Sequence, residues 1–377
     1  MRILIVEPYL TGSHADWAEG YRRHSRHEVD ILGLAGSSWK WRMHGGAVTL
    51  ARRFEEQRLR PELVLATDML DVTTFQALTR AETASVPFAA YFHENQLTYP
   101  WSPTDRDVVH RRDRHYGFIN YSSALAVDAV LFNSVYHRDV FLDELVRFLK
   151  HFPDHRELGS VEEIRAKSSV LPLGLDLGRF DGLAADEEDG GSPIILWNHR
   201  WEYDKNPEDF FAVLDELVDE GVEFRTAILG ENFKQHPDVF DDARRRLGRR
   251  VVAFGYVEAF ADYASWLHRS HVAPVTSYQD FFGASVVEAV YCGCRPLLPR
   301  RLAYPEIIPE EFHADVFYDD GEELAKRLSA VLRDPRPVPP ELRRAMERYD
   351  WSTLAPRYDD TLEDVCRRHQ GENTRRR

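Results

Sequence analysis

The sequence predicts an α/β protein built from two Rossmann-like domains that face each other across a cleft. Three observations carry that expectation. The chain has 377 residues, more than a single core usually fills. Short apolar runs alternate with amphipathic segments, the pattern of parallel strands joined by crossover helices. One acidic, Gly-containing stretch without periodicity, FDGLAADEEDGG (180–191), interrupts that alternation near the middle and reads as a linker.

The first domain is expected over 1–180. RILIVEP opens it as a strand, followed by a helix from about Ser13 to His24, the strand EVDILGL, a helix near 47–57, ELVLAT, a helix near 71–80 and VPFAAYF. A helix near 116–127, the strand AVLFNS, a long helix over 134–150 and SVLPLGL complete it. The linker is placed at 181–192. The second domain, 193–350, repeats the architecture: PIILWN is a strand, and NPEDFFAVLDELVDEG a helix with Pro207 in its first turn, where a missing N–H costs nothing. FRTAILGE, RVVAFGY, HVAPVTS and RPLLPR are further strands. Residues 351–377 supply a last helix, over about 351–367, that crosses back to the first domain and ends in a basic tail.

Hydrophobic residues make up 43% and charged residues 29%, ordinary values for a globular protein. No apolar run approaches the ~18 residues that cross a bilayer, so no membrane partner is expected. MRILIVEPYL reaches Glu7 too early for a signal peptide. Three cysteines, Cys292, Cys294 and Cys366, lack metal spacing and fit reduced thiols in a cytoplasmic enzyme. The net charge of −15 argues at first against a polyanionic partner. Its distribution changes that: residues 1–185 hold 22 Lys and Arg against 25 Asp and Glu, and the remainder 26 against 38. The acidity belongs to the second half, and a polyanion can dock on the first.

QDFFGASVVEAVYCGCRP (279–296) is the strongest chemical signal. Gly283 allows close backbone approach to a ligand, and the N–H groups of Gly283, Ala284 and Ser285 open a helix at its positive end. Glu288 suits a ribose diol, and Asp280 a sugar hydroxyl beyond the phosphates. In NHRWEYDKNP (198–207), Arg200 and Lys205 follow a strand's carboxyl end, where open α/β sheets bind ligands. Two cations there would hold a diphosphate and stabilise it as it leaves. VEPYLTGSHADW places Gly12 and Ser13 in the first βα turn, without the G-x-G-x-x-G of ordinary NAD binding. YFHENQLTYPW sets four polar side chains, His93, Glu94, Asn95 and Gln96, directly after a buried strand. DRDVVHRRDRHYG (105–117) concentrates Arg and His, and Trp39, Trp41, Tyr99 and Trp101 offer flat faces for unstacked bases. A solvated charged face with core aromatics is the plainer account of these last residues. The Asp105-Arg106-Asp107 run is not read as a metal site.

These segments resemble the GT-B glycosyltransferases, in particular the large retaining family with an E-x7-E segment. The pattern matches from Asp280 to Pro296 with Asp in place of the first Glu, the R-x4-K pair matches Arg200 and Lys205, and SVLPLGLDLGRF resembles the family's P-x-G-x-D…F segment. GSHADW, SSWKWRMHG, YFHENQLTYP, YGFINYSSALAVDAVLFNSVYHRDVFL and HFPDHR look, more narrowly, like the tRNA-queuosine mannosyltransferases. The resemblance implies GDP-mannose as donor, the cyclopentenediol of queuosine in a tRNA anticodon as acceptor, and no metal or other cofactor. It implies a donor site of Gly12, Asn198, Arg200, Lys205, Asp280, Phe282, Gly283, Ala284, Ser285 and Glu288. The acceptor site is expected at Ser13, His14, Glu94, Asn95, Gln96, Arg111, Arg112 and Arg114, with His93, Arg200, Lys205 and Asp280 catalytic.

No pair of carboxylates is arranged as in glycosidases, so front-side attack is expected, the leaving diphosphate taking the acceptor's proton. Two other classes stay open. A nucleotide-sugar epimerase of the same fold would act without an acceptor. A non-catalytic RNA-binding module would gain no thermal stability from GDP.

Overall fold

The computed structural model describes residues 1–102, 105, 115–183, 191–231 and 237–375. The chain divides into two compact units, Met1–Leu175 with Trp351–Arg377, and Asp176–Asp350. Each is built on a six-stranded, all-parallel sheet.

In the first unit the strands β1 (Arg2–Leu10), β2 (Glu28–Ala35), β3 (Leu63–Thr67), β4 (Phe88–Phe92), β5 (Ala129–Phe132) and β6 (Ser168–Val170) lie in the order β2-β1-β3-β4-β5-β6. β3, β4 and β5 are buried at every position, as strands covered on both faces must be. One core cluster carries Leu4, Val6, Leu50, Phe54, Phe75, Phe88 and Phe132. The helix Trp351–Arg375 returns to this unit. Trp351 is 1% exposed and lies where a Cβ on Gly20 or Gly174 would stand, at 2.0 and 2.5 Å. Only glycine leaves room there. Tyr358 Oη accepts from Trp17 Nε1 at 3.1 Å, and Asp359 accepts from Tyr21 Oη at 2.8 Å.

Three sequence expectations need correction. The second helix spans Trp39–Glu56, eight residues earlier than its apolar periodicity suggests. A short helix, Gly159–Ala166, follows the PDHR segment unforeseen. SVLPLGL is a strand only to Val170, because Pro172 has no N–H to continue the ladder.

The second unit holds β7 (Ile194–Asn198), β8 (Arg225–Leu229), β9 (Val251–Gly255), β10 (Val272–Pro274), β11 (Arg295–Pro299) and β12 (Phe317–Tyr318), in the order β12-β11-β10-β7-β8-β9. Its core gathers Trp197, Trp201, Phe210, Phe211 and Phe240, with Trp201 stacked on Phe240 at 4.3 Å and 5°. In each sheet the chain doubles back once, between β1 and β3 and between β7 and β10. Ligands bind at such reversals, outside the carboxyl ends of the strands.

Candidate active site

At the reversal of the first sheet, the ends of β1, β3 and β4 bring together Glu7, His14, Asp68 and His93. Glu7 is fully buried, and both its oxygens are engaged. Oε1 accepts the Tyr9 N–H at 2.7 Å and Oε2 accepts from His14 Nδ1 at 2.9 Å. Burial works against a charged imidazole, but the Glu7 carboxylate, with Asp68 and Glu94 nearby, outweighs it and raises His14 to about 9. The His14 ring lies 4.2 Å from that of His93, tilted by 38°. The ligand atoms of Glu7, His14 and His93 lie within 4.8 Å of one another. The Glu7 oxygens, however, already accept N–H donors, which is the arrangement of an ion pair.

His93 is boxed edge-on by Trp17 at 4.7 Å and Tyr91 at 4.9 Å. Its backbone N–H donates to Asp68 Oδ1 at 2.8 Å, and its carbonyl accepts from Asn133 Nδ2 at 2.9 Å. Burial, then the neighbouring His14 and His137, holds the imidazole well below its usual range, so it is neutral. Asp68 is pushed well above the carboxylate range by burial and then by Glu94, although His14 opposes the shift. His93 Nε2 and Asp68 Oδ2 are buried and lack a hydrogen-bond partner within the protein. A hydroxyl, which both donates and accepts, can satisfy both atoms.

The remaining polar residues of YFHENQL divide. Asn95 is fully buried, and its Oδ1 accepts the N–H groups of Leu97 and Thr98. That oxygen builds the turn, while Nδ2 is buried without a hydrogen-bond partner. Gln96 is 6% exposed and donates from Nε2 to Glu94 at 2.9 Å, orienting that carboxylate. Glu94 is half-buried. Gly12 and Ser13 are exposed at the start of the helix Gly12–His24. Arg111, Arg112 and Arg114 lie outside the described residues.

At the reversal of the second sheet, Asn198 ends β7 and donates to the Ser285 carbonyl at 3.0 Å. Lys205 is 11% exposed, donates to the Gln279 carbonyl at 2.9 Å, and lies 3.2 Å from Asp204 and 4.0 Å from Asp280. It ties the first βα loop to the segment that carries the acid. Asp280 accepts from Tyr304 Oη at 3.2 Å. Gly283 has φ +96° and caps the helix Ala284–Tyr291. A Cβ on it would also meet Ile307 at 2.9 Å, so both backbone and packing require glycine. Ser285 Oγ pairs with His199 Nδ1 at 3.1 Å. Burial, then Lys205, lowers His199 to about 4, so this imidazole is neutral beside the cation. Glu288 accepts from Tyr263 Oη at 2.8 Å. Phe282 is 5% exposed and stands edge-on to Tyr349 at 5.1 Å, a packing role. Arg200 is half-exposed and pairs with Glu202 at 3.3 Å.

The structure thus gathers His14 and His93 in one unit, and Asn198, Lys205, Asp280, Gly283, Ser285 and Glu288 in the other. Sequence reasoning passed over Glu7, Asp68, His199, Tyr263 and Tyr304. Glu7 had one signal, a lone carboxylate inside an apolar strand.

Comparison with known proteins bears on both halves. A family model described as tRNA-queuosine alpha-mannosyltransferase N-terminal matches residues 2–175. A second, glycosyl transferases group 1, matches residues 183–350. The tRNA-queuosine alpha-mannosyltransferase of Drosophila melanogaster is 32% identical over 371 residues, covering 95% of each chain. Among solved structures, Anabaena HepE with UDP and glucose superposes with a TM-score of 0.69 at 14% identity, covering 96% of this chain and 99% of its own. Sucrose-phosphate synthase of Thermosynechococcus elongatus gives 0.72 at 13%, covering 97% and 99%. These likenesses show the GT-B fold. By its full-length identity and its distinctive first half, the chain belongs to the tRNA-queuosine alpha-mannosyltransferase family.

Proposed function

We propose that this protein transfers mannose from GDP-mannose to the cyclopentenediol of queuosine in a tRNA anticodon, with retention at the anomeric carbon. The observation that carries the reading is the 32% identity running through 95% of both chains, since it includes the unit that handles the acceptor. The second unit takes the donor. Lys205, Arg200 and the N–H groups at Gly283–Ser285 hold the diphosphate, and Glu288 takes the ribose diol. As the glycosidic C–O bond breaks, these groups stabilise the charge on the departing diphosphate. The acceptor hydroxyl forms the new C–O bond on the same face and passes its proton to that diphosphate. His93, neutral and with Nε2 unpartnered, accepts a hydrogen bond from a hydroxyl of the reacting groups.

Two further features favour these substrates. A depression of about 540 Å³ at the carboxyl end of β9 is lined by Tyr256, Glu258 and Asp262. A carboxylate there can accept the adjacent N1–H and N2–H donors that guanine alone among the common bases presents. In the first unit Trp39, Trp101 and Tyr116 cluster, with the Lys40 ammonium 5.0–6.0 Å from their centroids. Trp41, two residues after Trp39, is 64% exposed. Flat faces with a cation suit unstacked anticodon-loop bases.

The test is mass spectrometry of nucleosides from queuosine-containing tRNA incubated with the enzyme and GDP-mannose, GDP-glucose, UDP-glucose or UDP-galactose in turn. A hexose increment on queuosine with GDP-mannose alone is expected. An increment with a UDP-sugar, or conversion of the nucleotide sugar without tRNA, overturns the assignment.

A further inference from the structure

We propose that Glu7 is a positioning residue, its buried carboxylate fixing the His14 ring so that Nε2–H donates to the non-reacting hydroxyl of the acceptor diol. The inference rests on the acceptor reading above and extends it to a residue outside the sets drawn from sequence.

The geometry carries it. Glu7 cannot rotate away, since the Tyr9 N–H at 2.7 Å and His14 Nδ1 at 2.9 Å hold one oxygen each. With Nδ1–H donated to a carboxylate, the His14 tautomer and ring plane are set, and Nε2 becomes the working atom. The His14 side chain is 13% exposed, and Nε2 is not among the buried atoms lacking a partner. Nδ1 is the ring nitrogen engaged with Glu7, which leaves Nε2 for a ligand.

Charge decides what Nε2 does. The groups facing His14 are Glu7 from β1, Asp68 after β3, and Glu94 and His93 after β4, with the Tyr9 ring 6.1 Å away. Burial favours the neutral ring, but the charge and hydrogen bond of the Glu7 carboxylate outweigh it and keep His14 protonated, so it is a donor. A cationic donor on the attacking oxygen would withdraw the lone pair that forms the new bond. On the neighbouring hydroxyl it orients the diol and selects which oxygen attacks. His14 keeps its proton throughout; the proton lost by the acceptor leaves on the diphosphate.

The experiment compares wild type with Glu7→Gln and Glu7→Asp, in kcat/KM for queuosine tRNA between pH 6 and 9 and in ¹⁵N NMR titration of the histidines. In wild type the expected result is a His14 held up to about 9 by Glu7. Without the carboxylate's charge it falls to near or below its ordinary ~6.5. The ratio of wild-type to Glu7→Gln kcat/KM then grows from within about threefold at pH 6 to roughly thirtyfold at pH 8. Glu7→Asp, which keeps the charge, recovers most of the loss. A folded Glu7→Gln enzyme that binds GDP normally and matches wild type at pH 8 overturns the inference and leaves the transferase assignment standing. If wild type transfers nothing, the titration still decides: His14 near 6.5 in wild type refutes the pair, and a value near 9 that drops in Glu7→Gln upholds it.

Discussion

Lys205 offers the sharpest test of the donor site, provided that its chemical and structural roles are separated. Its side chain is 11% exposed, and Nζ touches the Gln279 carbonyl, Asp204 and Asp280. One hydrogen bond to a charged group contributes about 1.5–3 kcal/mol, so losing its contact with the departing diphosphate slows turnover by about tenfold to about 150-fold. Lys205→Ala also strands the buried Asp204 carboxylate (side chain 0% exposed), and breaking such a pair costs about 3–5 kcal/mol of stability. A loss of activity in that variant alone therefore proves little. Asp204→Asn/Lys205→Met removes both charges at nearly constant volume, which restores most of the melting temperature and none of the rate. The assay is single-turnover transfer to queuosine tRNA, with a thermal melt of each variant. A folded double variant within threefold of wild-type turnover refutes a diphosphate role for Lys205.

Three other outcomes follow from the coordinates. A Cβ on Gly230, which has φ +142°, would fall 1.9 Å from the His199 carbonyl, so Gly230→Ala lowers stability by at least about 2 kcal/mol, read by urea unfolding. Because His14 is raised to about 9, its pairing stabilises the fold fully below its unfolded pKa near 6.5 and is lost as the pH rises to about 9, a change of roughly 3 kcal/mol. Urea midpoints from pH 6 to 9.5 that decline in wild type and stay flat in Glu7→Gln bear this out; parallel curves contradict it. Trp351→Ala empties a site 1% exposed and costs about 3–5 kcal/mol. Hydrogen exchange should locate the loosening in the first unit, and exchange confined to Asp176–Asp350 would contradict it.

The alternation of apolar runs and helices was legible because β3, β4 and β5 are covered on both faces and leave uninterrupted hydrophobic words. The helix Trp39–Glu56 starts early because its first turns, WKWRMHGG, bury little beyond Met43 and Gly46, and burial is what periodicity reports. The second-unit site was legible as local motifs: Asp280, Gly283 and Glu288 lie within nine residues. Of the first-unit group His14 and His93 were named, but Glu7 and Asp68 were not, since these residues meet only through strand order. A buried carboxylate in a strand looks like a flaw until the histidine seven residues on is seen to complete it.

The return of the last helix fixes the order in which the molecule can be made. The chain leaves the first unit at Leu175 and re-enters it at Trp351, whose N–H donates to the Leu175 carbonyl at 2.8 Å. The 176–350 unit is thus an insertion between two residues already in contact, and it can close on the ribosome before the earlier-synthesised half is complete. A truncation just before Trp351 would leave the Asp176–Asp350 unit whole and deprive the half that emerged first of its seal. The same adjacency makes 175 and 351 the natural junctions at which to separate the two units.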